Sequence, residues 1–407
     1  MSMSKTRPQW PVLLALSLGS WLHPLPATAP TDAPYRLVAE RDRTFSVPDS
    51  VRALLSRVTA IAAARDSSLY LADPSLGAIL NLTPNGDFRR VLGRRGSGPG
   101  EFNAPLLVGF HRDTLWAVDP ASVRLTLLPT RGPGVVTVPL GLSAATLPDR
   151  SRPQARQGLP SAVLPDGNLL IEQPVRDSQD GGTQWSQVLL LRASRNLEVL
   201  DTIAQSSMTH SMMVFVNRDG EEHLVQPFGD DPLYAVSSDG SLLVLVHREV
   251  PVKGGKGTFT VTGWRGGKEK LFERRVEYDG RRIARNAVDS VIQLFTNPRS
   301  KGGYGSHVPA DSLRRRLYRP ATYPPVESVR VSRNGMVWLK VRLADSPEGV
   351  GDWLVLSPRG FEMYRVSLPA TFRMLEADRR TVWGVDVDSL DVPLLVRYSI
   401  PGPGQAG

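Results

Sequence analysis

The sequence predicts an all-β chain, a six-bladed β-propeller of four-stranded antiparallel blades with a short helical insertion around residues 284–319. Three observations carry that expectation. Short Val/Leu/Ile/Tyr/Trp runs alternate with Gly, Pro, Asn and Asp turns from residue 35 to 400, as in a chain of many short antiparallel strands. A unit of polar turn followed by strand recurs six times, and its shortest spacings are those of a four-stranded blade. The composition, 41% hydrophobic and 22% charged over 407 residues, is that of a folded soluble chain and excludes a coiled coil, a collagen-like chain or a long disordered tail.

In chain order the first element is a leader. Lys5 and Arg7 precede the apolar run from Pro11 to Leu22, and Ala27-Thr28-Ala29 offers small residues where signal peptidase cuts. The run is too short to cross a bilayer core of about 30 Å as a stable helix, so residues 1–29 read as a secretory signal peptide. The remainder is then expected in the periplasm or outside the cell, not integral to a membrane, since no later stretch approaches about 18 consecutive apolar residues. The chain has no Cys, which removes disulfides, thiolate metal sites, Fe–S clusters and a cysteine nucleophile.

The body, residues 30–401, holds the repeats. The six units contain Asp66-Ser-Ser-Leu-Tyr70, Arg112-Asp-Thr-Leu-Trp116, Asp166-Gly-Asn-Leu-Leu170, Asp239-Gly-Ser-Leu-Leu243, Asn334-Gly-Met-Val-Trp338 and Arg379-Arg-Thr-Val-Trp383. Asp-Gly and Asn-Gly adopt positive φ cheaply and tie the first strand of a blade to the second. Tyr70, Trp116, Leu170, Leu243, Trp338 and Trp383 are spaced by 46, 54, 73, 95 and 45 residues, so the third and fourth intervals have room for insertions. The expected blades are 51–93, 104–140, 159–204, 232–279, 325–368 and 372–400. The last shows only three strands, and Tyr35–Arg41 is expected to supply its fourth and close the ring; residues 402–407 are a tail. A pair of β-sandwiches is the alternative, although sandwiches do not require a recurrent unit.

Within the longest interval the apolar period changes from two to nearly four. Ala284, Ala287/Val288, Val291/Ile292 and Phe295 predict one helix, and Pro309 to Tyr318 a second turn of helix. Such an insertion either caps the face of the ring where ligands bind or merely covers apolar surface.

Between the first two units stands Gly93-Arg-Arg-Gly-Ser-Gly-Pro-Gly-Glu-Phe-Asn-Ala-Pro105, a tight connection from an outer strand to the next inner one, with Phe102 placed to plug the seam. Here the chain resembles the secreted bacterial NHL-like six-bladed β-propellers, whose blade junctions carry a similar signature. The full motif occurs once, and the C-terminal run Val382–Tyr398 also looks like a last blade of that family. Related six-bladed lactonases hold a divalent cation in the central channel with Glu, Asn and Asp from the inner strands. In this chain the inner runs supply only Glu327 and, at a strand end, Glu376, which is thin for calcium, a cation that takes six or more oxygens. No metal and no cofactor are therefore expected.

Other chemistry is sparse. Beyond the leader, His111, His210, His223, His247 and His307 form no His-x-His or His-x-x-x-His pair, and there is no Gly-x-Ser-x-Gly elbow, P-loop or EF-hand spacing. Asp73, Asp119 and Glu172, at the ends of second strands, read as caps for turn N–H groups. Tyr234 and Arg373 lie on inner runs and are candidates for the channel mouth, where Glu327 is available to pair with Arg373.

Charge is the remaining lead. The formal net charge is +9, yet residues 248–319 alone hold 17 Lys/Arg against 7 Asp/Glu, so the basicity is local. Its densest parts are Arg274-Arg275, Arg281-Arg282 with Arg285, and Arg314, Arg315 and Arg316 with Arg319, around the insertion. In an exported chain such a patch favours a protein or an anionic glycan or lipid surface over nucleic acid, or it is simply a solvated face. The favoured reading is a monomeric, non-enzymatic binding propeller that recognises a protein or anionic ligand on one ring face through Glu327, Arg373, Tyr234 and Arg314 to Arg316. The alternative is a propeller enzyme, a lactonase-like hydrolase or a lyase, with a metal or an acid in the channel.

Overall fold

The computed structural model describes residues 36–45, 48, 57–130, 134–140, 159–179, 182–217, 220–251, 255–297, 306–390 and 392–402. The expected signal peptide, Tyr35, the glycines at 302, 303 and 305, and all of the expected tail but Gly402 lie outside them.

Six four-stranded antiparallel blades follow one another in chain order. Their inner strands are Ala60–Ala63, Leu107–His111, Pro160–Val163, Leu233–Val236, Val326–Val331 and Arg373–Ala377. Each is joined by a tight turn to a second strand, as the turn dipeptides require; Gly240 in the fourth turn has φ +72°, and a Cβ there would lie 2.3 Å from the Val163 carbonyl. Apolar clusters fill the seams between successive blades. One joins blade one to blade two, another runs from blade two through three to four, a third spans four and five, and the remaining two join five to six and six to one, so the ring is closed.

Closure differs in register from the expectation. The strand completing blade six is Glu40–Thr44, antiparallel to Pro393–Ser399, and not 35–41. The preceding Arg36–Val38 instead pairs in parallel with Glu362–Pro369 and gives blade five a fifth strand. Ion pairs and apolar packing accompany this placement: Leu37 and Ala39 lie in the seam of blades five and six and Phe45 in that of six and one. Arg36 reaches Asp352 of blade five at 2.8 Å and Arg41 reaches Asp386 of blade six at 2.9 Å, both carboxylates being buried.

The glycine-rich junction is a structural clamp. Gly93 has φ +74°, and a Cβ on it would stand 2.5 Å from the Gly100 carbonyl and 2.7 Å from the Phe102 ring, so only glycine fits. Phe102 is fully buried between blades one and two. Arg95 donates to the carbonyls of Ser75 and Asn103 at 2.7 and 2.9 Å, and Arg124 to that of Ser97 at 2.8 Å. Asp73 and Asp119 cap backbone N–H groups, Asp73 those of Ser75 and Leu76 and Asp119 those of Asn103 and Ala104. Glu172 does not, because the second strand of blade three runs on to Gln179 and makes no turn there.

Two connections depart from the ring, both on the face where inner strands begin, called here the connector face. Between blades three and four the chain forms the hairpin Met212–Asn217 and Gly220–Val225. Between blades four and five come α1 (Ala287–Thr296) and α2 (Ala310–Arg316), two short helices where the apolar period places them. The two insertions fold on each other: Met213, Phe215 and Phe228 of the first pack with Ile292, Phe295 and Leu313 of the second in a single buried cluster. They make a roof over blade four.

Candidate functional site

The roof is pinned by polar contacts that consume much of the basic segment. Gln226 donates to the Arg316 carbonyl at 2.9 Å and accepts from the Tyr318 N–H at 2.9 Å, stopping α2 against the hairpin. Arg316 lies over the Phe215 ring at 5.3 Å and donates to the Val214 carbonyl. Arg314 pairs with Asp289 of α1 at 2.7 Å, and among the described residues Arg315 donates only to Ser312 Oγ of its own helix. Arg315, Arg282 and Arg285 remain exposed on the roof.

Beneath the hairpin, a cavity of about 360 Å³ opens between blades three and four. His210 Nδ1 is 2.7 Å from Asp230 Oδ1, and its ring stacks on Tyr318 with centroids 3.6 Å apart and planes 6° from parallel. The Tyr318 hydroxyl donates to the other Asp230 oxygen at 3.4 Å; burial first, and then that carboxylate, push the phenol up to about 12. Asp231 accepts the His210 N–H at 3.1 Å, and its carboxyl is raised by burial and, to a lesser degree, by the neighbouring Asp230 charge. Arg248 bridges the starts of two connections, donating to the carbonyls of Asp231 (2.6 Å) and Val326 (2.8 Å). Burial lowers it to about 10, still cationic at neutral pH. His247 Nδ1 lies 3.0 Å from Ser206 Oγ, and burial lowers its pKa, so the imidazole is neutral at pH 7. Among the described residues no carboxylate hydrogen-bonds this imidazole, so the pair lacks the orienting member of a catalytic triad.

The central channel is the second concavity, about 350 Å³. It is pinched at the end where the inner hairpins turn. The Phe110 N–H of blade two donates to the Ser238 carbonyl of blade four at 2.6 Å, and Arg333 of blade five donates to the Ala63 carbonyl of blade one at 3.2 Å. Tyr234 lines the wall, within 2.9 Å of Ser161 Oγ and donating to Glu172 at 2.7 Å, and its pKa is raised mainly by burial. Arg373 stands at the connector-face mouth and donates to the Val58 carbonyl at 2.7 Å.

Glu327 does not line the channel. A β-bulge between Val326 and Ser328 displaces it, and its carboxylate pairs with Lys340 (3.3 Å) and Arg342 (2.5 Å), not with Arg373. The channel acid is Glu376, which is 4% exposed. Burial pushes it up to about 7, against the pull of the Ala377 and Ala63 N–H groups. Beside it is the guanidinium of Arg330, lowered by burial and by Arg373 and raised by the Glu376 charge. One carboxylate facing a guanidinium is not a donor set for a divalent cation, and no group of three metal-ligating side chains converges among the described residues. Nor is any helix among them long and apolar enough to cross a membrane.

The structure thus brings Tyr234 and Arg373 to the channel, Arg314 to Arg316 to the roof, and Glu327 to neither cavity. The cavity under the roof was not foreseen: His210 and Tyr318 are far apart in sequence and neither belongs to a motif.

No family model matches the chain, and no curated protein matches it. Among solved structures it is similar to a protein of Bacteroides fragilis (11% identity, 90% of this chain and 99% of that one, TM-score 0.41). It is also similar to a member of the DUF4221 family from Bacteroides vulgatus (11%, 90% and 98%, TM-score 0.41). A third is the PQQ-bound form of an aldose sugar dehydrogenase from Streptomyces coelicolor (12%, 91% and 100%, TM-score 0.40).

Proposed function

We propose that this chain is an exported, NHL-like binding propeller that recognises a protein or an anionic glycan or lipid surface on its connector face. The observation that supports this is the roof: six blades close without it, yet two insertions on the same face share a buried core. Structure that ring closure does not need, concentrated on one face and carrying exposed Arg282, Arg285 and Arg315, suits a docking surface. Replacing Arg285 and Arg315 with Ser lowers the salt needed to elute the chain from heparin, because exposed charges act through screened electrostatics. The same change at Arg359 and Arg379, exposed on the opposite face, is the control. Equal losses for the two pairs mean that retention follows net charge, and the roof is then not the site.

Glu376 supports a second reading, a hydrolase or lyase, since a buried carboxyl near pH 7 is the form a general acid takes. Turnover of a lactone panel that Glu376→Gln abolishes would favour it over binding.

A further inference from the structure

The face opposite the roof carries a cavity that the reading above does not use. It measures about 520 Å³ and lies between blades one and two at their hairpin turns. On the side of blade one turned toward blade two, one cross-strand row reads Ala62, Tyr70, Asn81, Arg90. The corresponding rows of blades two and five carry Leu127 and Val355 where Asn81 stands. Blades three and six carry Arg192 and Arg397 at this position, so it takes polar residues elsewhere in the ring too. Asn81 is 3% exposed, and its Nδ2 donates to the Leu69 carbonyl at 3.2 Å. Tyr70 meets Phe110 of blade two edge-on at 5.3 Å, which makes a rigid floor. Above that floor the cavity is ringed by arginine.

Its charges do not balance internally. Arg65 pairs with Asp113 across the blades at 3.6 Å. Asp66 is held low chiefly by the Ser68 hydroxyl, with the Arg89 charge a lesser contribution. Those four residues cancel. Arg90 from blade one and Arg112 from blade two are left, exposed and with no hydrogen-bond or ion-pair partner among the described residues. Arg112 has φ +56°, the left-handed conformation that glycine supplies in the turns of blades three, four and five. A non-glycine residue held there at a conformational cost presents its side chain to the cavity.

We infer that this cleft binds a small organic phosphate monoester. Two guanidiniums that line one cleft, from different blades and without a partner among the described residues, offer donor forks to a dianion with three acceptor oxygens. The volume exceeds that of a bare phosphate and leaves space for a sugar-sized body against Tyr70 and Asn81. The site is independent of the roof, so either can fail without the other.

The test is titration calorimetry on the exported chain with glucose 6-phosphate, inorganic phosphate and glucose. Glucose 6-phosphate binds with a Kd below about 1 mM, inorganic phosphate more weakly, and glucose not at all. Arg90→Gln and Arg112→Gly each weaken glucose 6-phosphate by roughly tenfold, the scale of one charge-assisted contact. Arg112→Gly also relieves the turn, so it melts no lower than the parent and its loss of affinity is not a loss of fold. Arg359→Gln, on the same face in blade five, leaves binding unchanged. No binding of glucose 6-phosphate at 10 mM, equal loss with Arg359→Gln, or inorganic phosphate bound as tightly as the ester would each overturn the assignment.

Discussion

At the scale of single residues, Glu376 makes the stability of the fold depend on pH. Its folded pKa of about 7 stands above the ordinary 4.5, so between those values the folded state holds a proton that the unfolded state releases. The stability it contributes is complete below pH 4.5 and is lost as the pH rises through 7, on the order of 3 kcal/mol. His111 and His247 act in the opposite sense. Burial lowers both below 6.5, so their contribution is present above that pH and is lost as the pH falls. Glu376→Gln keeps a carbonyl acceptor for the Ala377 N–H but carries no charge beside Asp239. It is expected to melt higher than the parent at pH 8 and alike at pH 5; thermal melts at the two pH values that show no difference would place the carboxyl in an ordinary, solvated state.

At the scale of elements, one short N-terminal segment serves two blades. Arg36–Val38 covers the edge of blade five and Glu40–Thr44 completes blade six. The second pairing closes the ring, and its side chains reinforce it: Arg41 and the Tyr398 hydroxyl share Asp386, and Arg397 holds Asp42 at 2.9 Å. A mature chain cut to begin at Phe45 exposes two strand edges and takes a cation from each of two buried carboxylates. Its loss is expected to be on the order of 5 kcal/mol, read by denaturant melts. A chain beginning at Ala39 loses only the outer strand and is expected to fall well short of that. Equal losses would mean that the parallel pairing on blade five, and not ring closure, carries the stability.

For the molecule as a whole, the decisive expectation is export. Lys5, Arg7, the apolar run to Leu22 and the small residues at 27 and 29 form the expected leader. Mass spectrometry of the exported chain is expected to show loss of about 29 residues and, with them, two cations. Retention of Met1 on the exported product would overturn the leader assignment.

Blade count, the positions of inner strands and turns, the seam-plugging Phe102 and both helices were legible in the sequence because each depends on neighbours a few residues away. Asp-Gly turns set hairpins, a period of two sets faces, and the change of period at 284–295 marks a helix. Ring closure was legible in outline only. The exchange of 35–41 for 40–44 rests on partners distant in sequence, the buried Asp352 and Asp386 and the apolar seams that take Leu37 and Phe45. The joining of the two insertions into one roof, and the cavities beneath it and on the opposite face, were not legible. His210 meets Tyr318, Arg90 and Arg112 line one cavity, and Glu327 turns to Lys340 and Arg342 at a bulge, because a closed ring of twisted sheets sets which side chains converge. Local residue choice wrote the repeat, whereas convergence of distant segments, which no local pattern encodes, made the sites.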